Sequence, residues 1–501
     1  MRYNDLALLV PDALPNAVVV GGGMGGLLAA IRLRASGHEV TVVERLPTLG
    51  GKLATYERDG YTFDIGPSLL TLPALIDEVF QLVGTGLNDH VELHRLDPQF
   101  RYFWQNRRAV TVYDNPVDTA SAIDAMSPGS GGQYLQFLKH ARRIWSISER
   151  TFLAGPMTGA VSLFKRMDSP RDFRQIDAMR SLAVAAKKHF SDPLLQQWLG
   201  RYATYSGSSP FEAPATLACI AAVEADHGAW YAHGGLGALR EAVVRVATLN
   251  GVQFRTNTEV LRIEGNKRRV TGVRLANNEV LTAPIVIANV DAEHLYTDLL
   301  PQRKTLKAVR RAGRSTSGVI VLVGAKGTTQ NIVHHNVWFS ADYQHEFEQM
   351  SKGEMPEDPT IYACVSSVSD ASQAPANCEN WFLLVNAPAG AQVDTETYGQ
   401  WLINRLATIG VDLRDRVQFI ETIGPSEIAH RYRSSGGAIY GTSSNGKRAA
   451  FRRPANRGPR KGLYLVGGSS HPGGGLPMVA ISARIVANMI GRDLRVNPKS
   501  R

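Results

Sequence analysis

Three glycines and one acid, at fixed spacing, are the first residues of this sequence whose types suit chemistry. Gly21-x-Gly23-x-x-Gly26 follows the apolar run Ala17–Val20, and Glu44 closes the next apolar run, Glu39-Val-Thr-Val-Val-Glu44, 18 residues after Gly26. Gly21 permits a tight turn, Gly23 lets the backbone approach a pyrophosphate, and Gly26 lets a helix lie close to the strand. Leu27, Leu28, Ile31 and Leu33 recur at helix-face spacing and predict a helix over Leu27–Ser36, with Gly37 where a C-cap belongs. The first N–H groups of such a helix are free to meet phosphates, and Glu44 can accept both hydroxyls of a ribose. Strand, glycines, helix, strand and acid in that order predict a dinucleotide crevice, with Met24 and Gly25 inside the turn.

Downstream residues bear on which dinucleotide it is. Arg45-Leu-Pro-Thr-Leu-Gly50-Gly51-Lys52 brings a second glycine pair just after the acid, which lets another loop approach the diphosphate, with Lys52 as a counter-charge. Phe63-Asp64-Ile65-Gly66-Pro67-Ser68 is a tight turn of the kind that lines a flavin ring. These features favour FAD over NAD. Near the C-terminus, the run Leu463-Tyr-Leu-Val466 leads into Gly467-Gly468-Ser-Ser-His471-Pro472-Gly473-Gly474-Gly475-Leu476-Pro477 and a helix from Met478 to Ile490. Its N–H groups would stabilise negative charge on a reduced flavin. The expected cofactor contacts are Gly21, Gly23, Met24, Gly25, Gly26, Glu44, Arg45, Gly51, Lys52, Gly66, Pro67, Ser68, Val260, Gly468, Gly475, Met478 and Val479, with no metal.

These pieces are far apart in the chain, so the domain that positions them must be discontinuous. The expected fold is α/β: a Rossmann-type FAD-binding domain from 1–100, 230–300 and 420–501, interleaved with an α+β substrate domain from 101–229 and 301–419. In the middle segment Gly234-Gly235-Leu236-Gly237 opens an apolar-periodic helix, and the runs Val252–Arg255, Thr258–Ile263, Val270–Leu275 and Ile285–Asn289 read as strands. Residues 134–205 read as mainly helical (Tyr134–Trp145, Leu182–Phe190, Pro193–Tyr205).

The 501 residues, 44% hydrophobic and 20% charged, suit a chain with several large cores and exclude a wholly disordered or collagen-like one. The net charge of +10 suits an anionic cofactor, an anionic membrane or nucleic acid. Arg452, Arg453, Arg457, Arg460 and Lys461, with Lys499 and Arg501, lack interleaved aromatics, so they read as solvated or membrane-facing charge rather than a nucleic-acid site. Cys219, Cys364 and Cys378 form no CxxC pair. No stretch approaches the roughly 20 apolar residues of a membrane span, and the N-terminal MRYNDLALLVPDALPN lacks a signal-peptide core. The expected location is cytoplasmic, or peripheral on the inner face of the cell membrane.

The sequence resembles the bacterial phytoene desaturase-type carotenoid desaturases, FAD enzymes of the amine-oxidase-like flavoprotein superfamily, along nearly its whole length. The match is carried by VVVGGGMGGLLAAIRLRASGHEVTVVE, by GGK and FDIGPS, and by the run Ala222-Val-Glu224-Ala-Asp226-His-Gly228-Ala-Trp230 through Gly234-Gly235. It continues in His334-His335-Asn336, Asp342-Tyr343, Asp358-Pro359, Tyr362, Asp370 and His471-Pro472-Gly473-x-Gly-x-Pro477. Two departures stand out: Pro477-Met478-Val479 replaces the usual Pro-Gly-Val, and His233 replaces the usual Pro. Similar variants occur in relatives that act on diapocarotenoids, on hydroxylated carotenoids or on other polyenes, so the resemblance carries the flavin site but not the substrate.

The resemblance implies a desaturase that removes two hydrogens from a –CH₂–CH₂– unit of a carotenoid or related isoprenoid polyene by hydride transfer to flavin N5, with the substrate held about 3–3.5 Å away. Glu224, Asp226, His335 and His471, with His334, lie in the matching runs and are the candidates for a catalytic base; structural roles for each remain open. Electrons would pass to a quinone or oxygen. Thr151–Met167 is open to two readings, a membrane-inserting segment ending in Lys165-Arg166 or a buried part of the substrate domain. Three other functions stay open: a dehydrogenase of a non-isoprenoid polyene delivered by an acyl-carrier protein, a redox-neutral polyene isomerase, and a prenyl-binding escort protein without redox chemistry.

Overall fold

A computed structural model describes residues 14–496. Most of the N-terminal stretch, and Lys499 and Arg501 of the basic cluster, lie outside the described residues. A five-stranded parallel sheet runs in the order Leu463–Leu465, Ile285–Ala288, Ala17–Val20, Val40–Val43, Gln253–Arg255. Its strands come from three distant stretches of the chain. The first glycine turn leaves the C-terminal end of the central strand, where α/β sheets hold their ligands.

The sheet is buried on both faces, and the two-residue side-chain period divides its core. Ala17 and Val19 pack with Leu27, Ile31, Val243 and Ile485 from the helices Met24–Ala35, Leu236–Leu249 and Leu476–Val496. Val18 and Val20 pack with Val273 and Leu275 of a three-stranded antiparallel sheet, Val260–Gly265, Val270–Leu275 and Val280–Thr282. The two long ends of the sequence-predicted helices differ from expectation. Met24–Ala35 starts three residues early because the glycines themselves are helical, and Leu476–Val496 takes in Pro477 at its first turn, where a missing N–H costs nothing.

A second unit rests on a seven-stranded sheet in the order Val417–Ile423, Ser317–Lys326, Cys378–Ala387, Ile361–Cys364, His335–Trp338, Phe100–Phe103, Ala109–Val112. One face carries Val319, Val321 and Val323 against Leu402 and Leu406 of the helix Thr395–Thr408. The other carries Ile320 and Phe382 toward the first unit. Over the sheet's end lies a helical layer. Its long helix, Ser130–Thr151, buries Tyr134, Phe137, Leu138, Ala141 and Ile144, a stripe at three- and four-residue spacing. That helix extends six residues beyond Trp145, while Pro193–Gly200 ends early and tightens into a 3₁₀ turn, Arg201–Ser206. Among the described residues no helix is long and apolar enough to cross a membrane.

Candidate functional site

The glycine turn is shaped by contacts that leave no room for side chains. Gly21 has φ +97°, and a Cβ there would stand 2.5 Å from the Asn289 carbonyl oxygen. Gly26 is pressed against the Gly21 carbonyl, so it serves packing and does not itself line the cavity. The helix that begins at Met24 has no side-chain cap and no acid in its first turn. Its leading amides are thus available to an anion. Asn289 braces the turn by donating from Nδ2 to the carbonyls of Gly21 (3.0 Å) and Gly23 (3.3 Å).

Glu44 is 8% exposed at the lip of the same cavity. Its carboxylate accepts from the Gly22 N–H at 2.7 Å and the Leu46 N–H at 2.8 Å. Each oxygen keeps a lone pair for a hydroxyl. The second glycine pair docks on the first turn: the Gly50 N–H donates to the Gly22 carbonyl at 2.8 Å, and a Cβ on Gly23 would lie 3.8 Å from Gly51 Cα. Lys52 lines the cavity, but its ammonium donates to the carbonyls of Ile439 (2.5 Å) and Ala438 (3.3 Å) rather than standing free as a counter-charge. Burial pushes it down to about 8, partly offset by Asp291. Arg45 also lines the cavity and donates to the Arg431 carbonyl at 2.6 Å.

The turn Gly66-Pro67-Ser68 faces the same space, with Gly66 seated on the Lys52 carbonyl. Asp64, just before it, accepts from the N–H groups of Leu236 (2.7 Å) and Gly237 (3.0 Å) and so caps the helix Leu236–Leu249. Opposite stands the C-terminal loop. A Cβ on Gly25 would lie 2.9 Å from Gly467 Cα, so the first glycine turn and this loop touch. Gly468, Gly475, Met478 and Val479 line the cavity, as does Val260. Arg453 fixes this loop by donating to the carbonyls of Tyr440 (2.9 Å), Gly468 (2.9 Å) and Thr442 (2.6 Å). The uncapped amides, the acid at the lip and the glycine cradle fit a dinucleotide, and the same cavity extends to the C-terminal loop.

The expected catalytic residues are placed differently. Asp226 is a correction: it lies on the surface in an ion pair with Arg142 at 2.7 Å. Two residues apart on the helix Cys219–His227, Glu224 and Asp226 point in different directions, so burying one exposes the other. Glu224 is 2% exposed and does not line the cavity. Its oxygens accept from Tyr205 (2.5 Å) and Tyr202 (2.8 Å). Burial pushes its carboxyl up, while Arg201 and the two tyrosyl hydroxyls hold it down.

His335 is also corrected. It is fully buried in its strand behind Tyr362, whose hydroxyl meets its Nδ1 at 2.8 Å. Burial, with His334 and Arg201 nearby, pushes it well below the usual imidazole range. His334 is buried as well and pushed down to about 3 by burial. His471 does not line the cavity; its Nε2 meets the Gly155 carbonyl at 3.2 Å, and burial pushes it down to about 4. It anchors the loop from behind. Sequence reasoning missed Asn289, Arg201, Tyr362 and Arg453 as cavity-side residues. A signal existed for Asn289, which ends the strand beside the central one.

The cofactor groove is one part of a cavity of about 1050 Å³, at the upper limit for ligand pockets. Beyond Ser68 it continues between apolar walls that include Trp145, Phe152, Ile220, Phe382 and Leu384. It reaches the surface at Phe164 (51% exposed) and Met179 (55%). The segment Thr151–Met167 thus contributes both buried wall, through Phe152 and Leu153, and exposed apolar surface, through Val161 and Phe164.

Residues 24–490 match the family described as flavin containing amine oxidoreductase. A 4,4′-diapolycopene oxygenase of Methylomonas is 31% identical over 488 residues, covering 95% of this chain and 98% of that one. A 4,4′-diaponeurosporene oxygenase of Staphylococcus aureus is 32% identical over 492 residues, covering 96% and 99%. Among solved structures, an oxidoreductase from Methanosarcina mazei superposes with TM-score 0.65 at 17% identity, covering 94% of this chain and all of that one. A putrescine oxidase bound to putrescine superposes with TM-score 0.66 at 13% identity, covering 96% and 99%, a likeness of fold.

Proposed function

The chain belongs to the family of flavin-containing amine oxidoreductases and its cofactor is FAD, and on that premise we propose that it oxidises a long acyclic polyene of the carotenoid class near one end of the molecule. The observation that carries this reading is the single cavity that joins the cofactor groove to a long apolar tunnel. A small amine would leave most of that tunnel empty, whereas a rod-like hydrocarbon fills it. When bound, FAD supplies a two-electron acceptor suited to hydride from an allylic C–H bond. The chain's own residues hold it: Glu44 at the ribose, the amides after Gly23 at the phosphates, and the Gly66–Ser68 turn and C-terminal loop around the ring. Phe152, Phe382 and Leu384 exclude water and align the substrate.

The relatives named as oxygenases of diapolycopene and diaponeurosporene favour addition of oxygen at the chain end; a hydride would leave the allylic terminal carbon for the flavin, water would add to the carbon so exposed, and a proton would be released. In-chain desaturation is the second reading. Its support is the length of apolar wall, through Trp145, Phe152, Ile220, Phe382 and Leu384, which admits an in-chain segment as well as an end. Anaerobic holoenzyme mixed with diaponeurosporene, which keeps one in-chain –CH₂–CH₂– unit, should show bleaching of the flavin band. After air or a quinone is admitted, product mass separates the outcomes. Gained oxygen supports the first reading, loss of two hydrogens the second, and unchanged mass an isomerase. Absence of bleaching with any polyene sinks both oxidative readings.

The substrate enters from a membrane surface at the tunnel mouth. There Phe164 and Met179 stand exposed beside Lys165, Arg171 and Arg174, an arrangement suited to anionic headgroups. Flotation with phosphatidylglycerol liposomes tests this. The wild type should float and a Phe164→Ser, Met179→Ser variant should not. A wild type that stays at the bottom counts against entry from a membrane surface.

A further inference from the structure

Arg201 is a cation built into an otherwise apolar wall. It opens the 3₁₀ turn after the helix Pro193–Gly200, is 8% exposed, and lines the cavity. Its guanidinium carbon stands 5.1 Å from the ring centres of Phe100 and Tyr205, 5.5 Å from Tyr102 and 5.8 Å from Tyr362. Such a cage offsets part of the desolvation of a buried charge. Nη1 donates to the hydroxyls of Tyr102 (3.2 Å) and Tyr205 (3.0 Å). Glu224 supplies the balancing charge from behind, through Tyr205 and Tyr202. Among the described residues, no acceptor meets Nε or Nη2.

A guanidinium with spare donors is costly beside an apolar tunnel unless an oxygen meets it. A pure hydrocarbon offers none. Arg201 is also separated from the cofactor side by one side chain: Tyr362, whose ring it overlies, bonds Ser68 Oγ at 2.7 Å. We propose that Arg201 anchors an oxygen-bearing end of the polyene, a hydroxyl, aldehyde or carboxylate, next to the Gly66–Ser68 turn. This rests on the polyene reading above and adds to it a preference. Ends that already carry oxygen bind more tightly than hydrocarbon ends, so a partly oxidised molecule is retained for further oxidation at the same end.

The test is anaerobic binding of diapolycopene, its terminal aldehyde and its terminal carboxylic acid to the FAD holoenzyme, read from the polyene absorbance. The wild type should bind the aldehyde and acid roughly ten- to hundred-fold more tightly than the hydrocarbon. Arg201→Met should bring all three to the hydrocarbon's affinity, and Arg201→Lys should restore preference for the acid. The double variant Arg201→Met, Glu224→Gln removes charge and counter-charge together, so the comparison survives if the single variant fails to fold. Equal wild-type affinity for the three polyenes overturns the anchor and leaves the polyene reading standing, as does a preference that persists without Arg201. Binding of none of the three overturns both.

Discussion

Gly25→Ala sets two opposed effects against each other, and the geometry says which one wins. Gly25 lies in the first turn of the helix Met24–Ala35, where alanine should help by about 0.5–1 kcal/mol through backbone entropy. Yet the added methyl would stand 2.9 Å from Gly467 Cα, 2.9 Å from Asn289 Oδ1 and 3.1 Å from the Gly467 nitrogen. Ordinary contact begins at 3.4 Å, so the C-terminal loop must withdraw by about half an ångström against backbone atoms. Overpacking of this kind costs about 1–3 kcal/mol, which exceeds the helical gain. The same withdrawal loosens the ring's seat, and a shift approaching 1 Å costs up to about a hundred-fold in rate. Gly491→Ala is the control: it lies in the helix Leu476–Val496 with nothing within 4 Å of its added methyl, so only the gain applies. The assay is thermal unfolding of the holoprotein with anaerobic flavin reduction by the polyene. The expected result is a lowered Tm and slower reduction for Gly25→Ala, against an unchanged or raised Tm for Gly491→Ala. Equal gains in both variants, with full reduction rates, would refute the claim that the Gly21–Gly26 turn and the Gly467–Pro477 loop meet at the cofactor groove.

Glu44→Ala should weaken FAD retention about ten- to hundred-fold, because two backbone donors and the ribose lose a charged acceptor; flavin released on ultrafiltration measures it, and unchanged retention would count against the assignment. Arg453→Met removes the donor to the part-buried carbonyls of Tyr440, Gly468 and Thr442 and should destabilise the protein by about 1–3 kcal/mol; chemical denaturation reads this, and wild-type stability would contradict it. Glu346, buried among Ser340 and Thr360, is pushed up to about 7 by burial. A carboxyl raised above its unfolded value holds its proton longer in the fold, so stability falls as pH rises from about 4.3 to about 7, by about 3–4 kcal/mol. Glu346→Gln should flatten that part of the profile, and parallel curves for the two proteins would dismiss the argument.

What could be read from the sequence was what depends on local geometry. Gly21, Gly23 and Gly25 each answer to a close approach, and Glu44 to a fixed distance from them, so type and spacing carried the cofactor groove. The C-terminal loop was legible for the same reason. Side-chain direction was not. Glu224 and Asp226 share one run, yet helical rotation buries the first and exposes the second. His335 sits in a strand whose pleat and neighbours seal it behind Tyr362. Asp64 read as part of a flavin-lining turn, while its carboxylate caps a helix 172 residues further on. Arg201 carried no signal at all, because its meaning comes from four rings contributed by three separate strands and turns.

The pairing of Leu463–Leu465 with Ile285–Ala288, and the packing of Leu476–Val496 on Met24–Ala35, have a consequence for synthesis. A nascent polypeptide emerging from the ribosome presents its phosphate-binding turn well before the wall that faces it, Leu463–Leu465 and Leu476–Val496. Until Leu476–Val496 has been made, the oily face of the opening helix is covered only in part, by Leu236–Leu249, and the vitamin-derived pigment has only half a seat. Docking of that helix, full burial of that face and capture of the pigment therefore coincide, so bound pigment certifies that Leu463–Leu465 and Leu476–Val496 have docked.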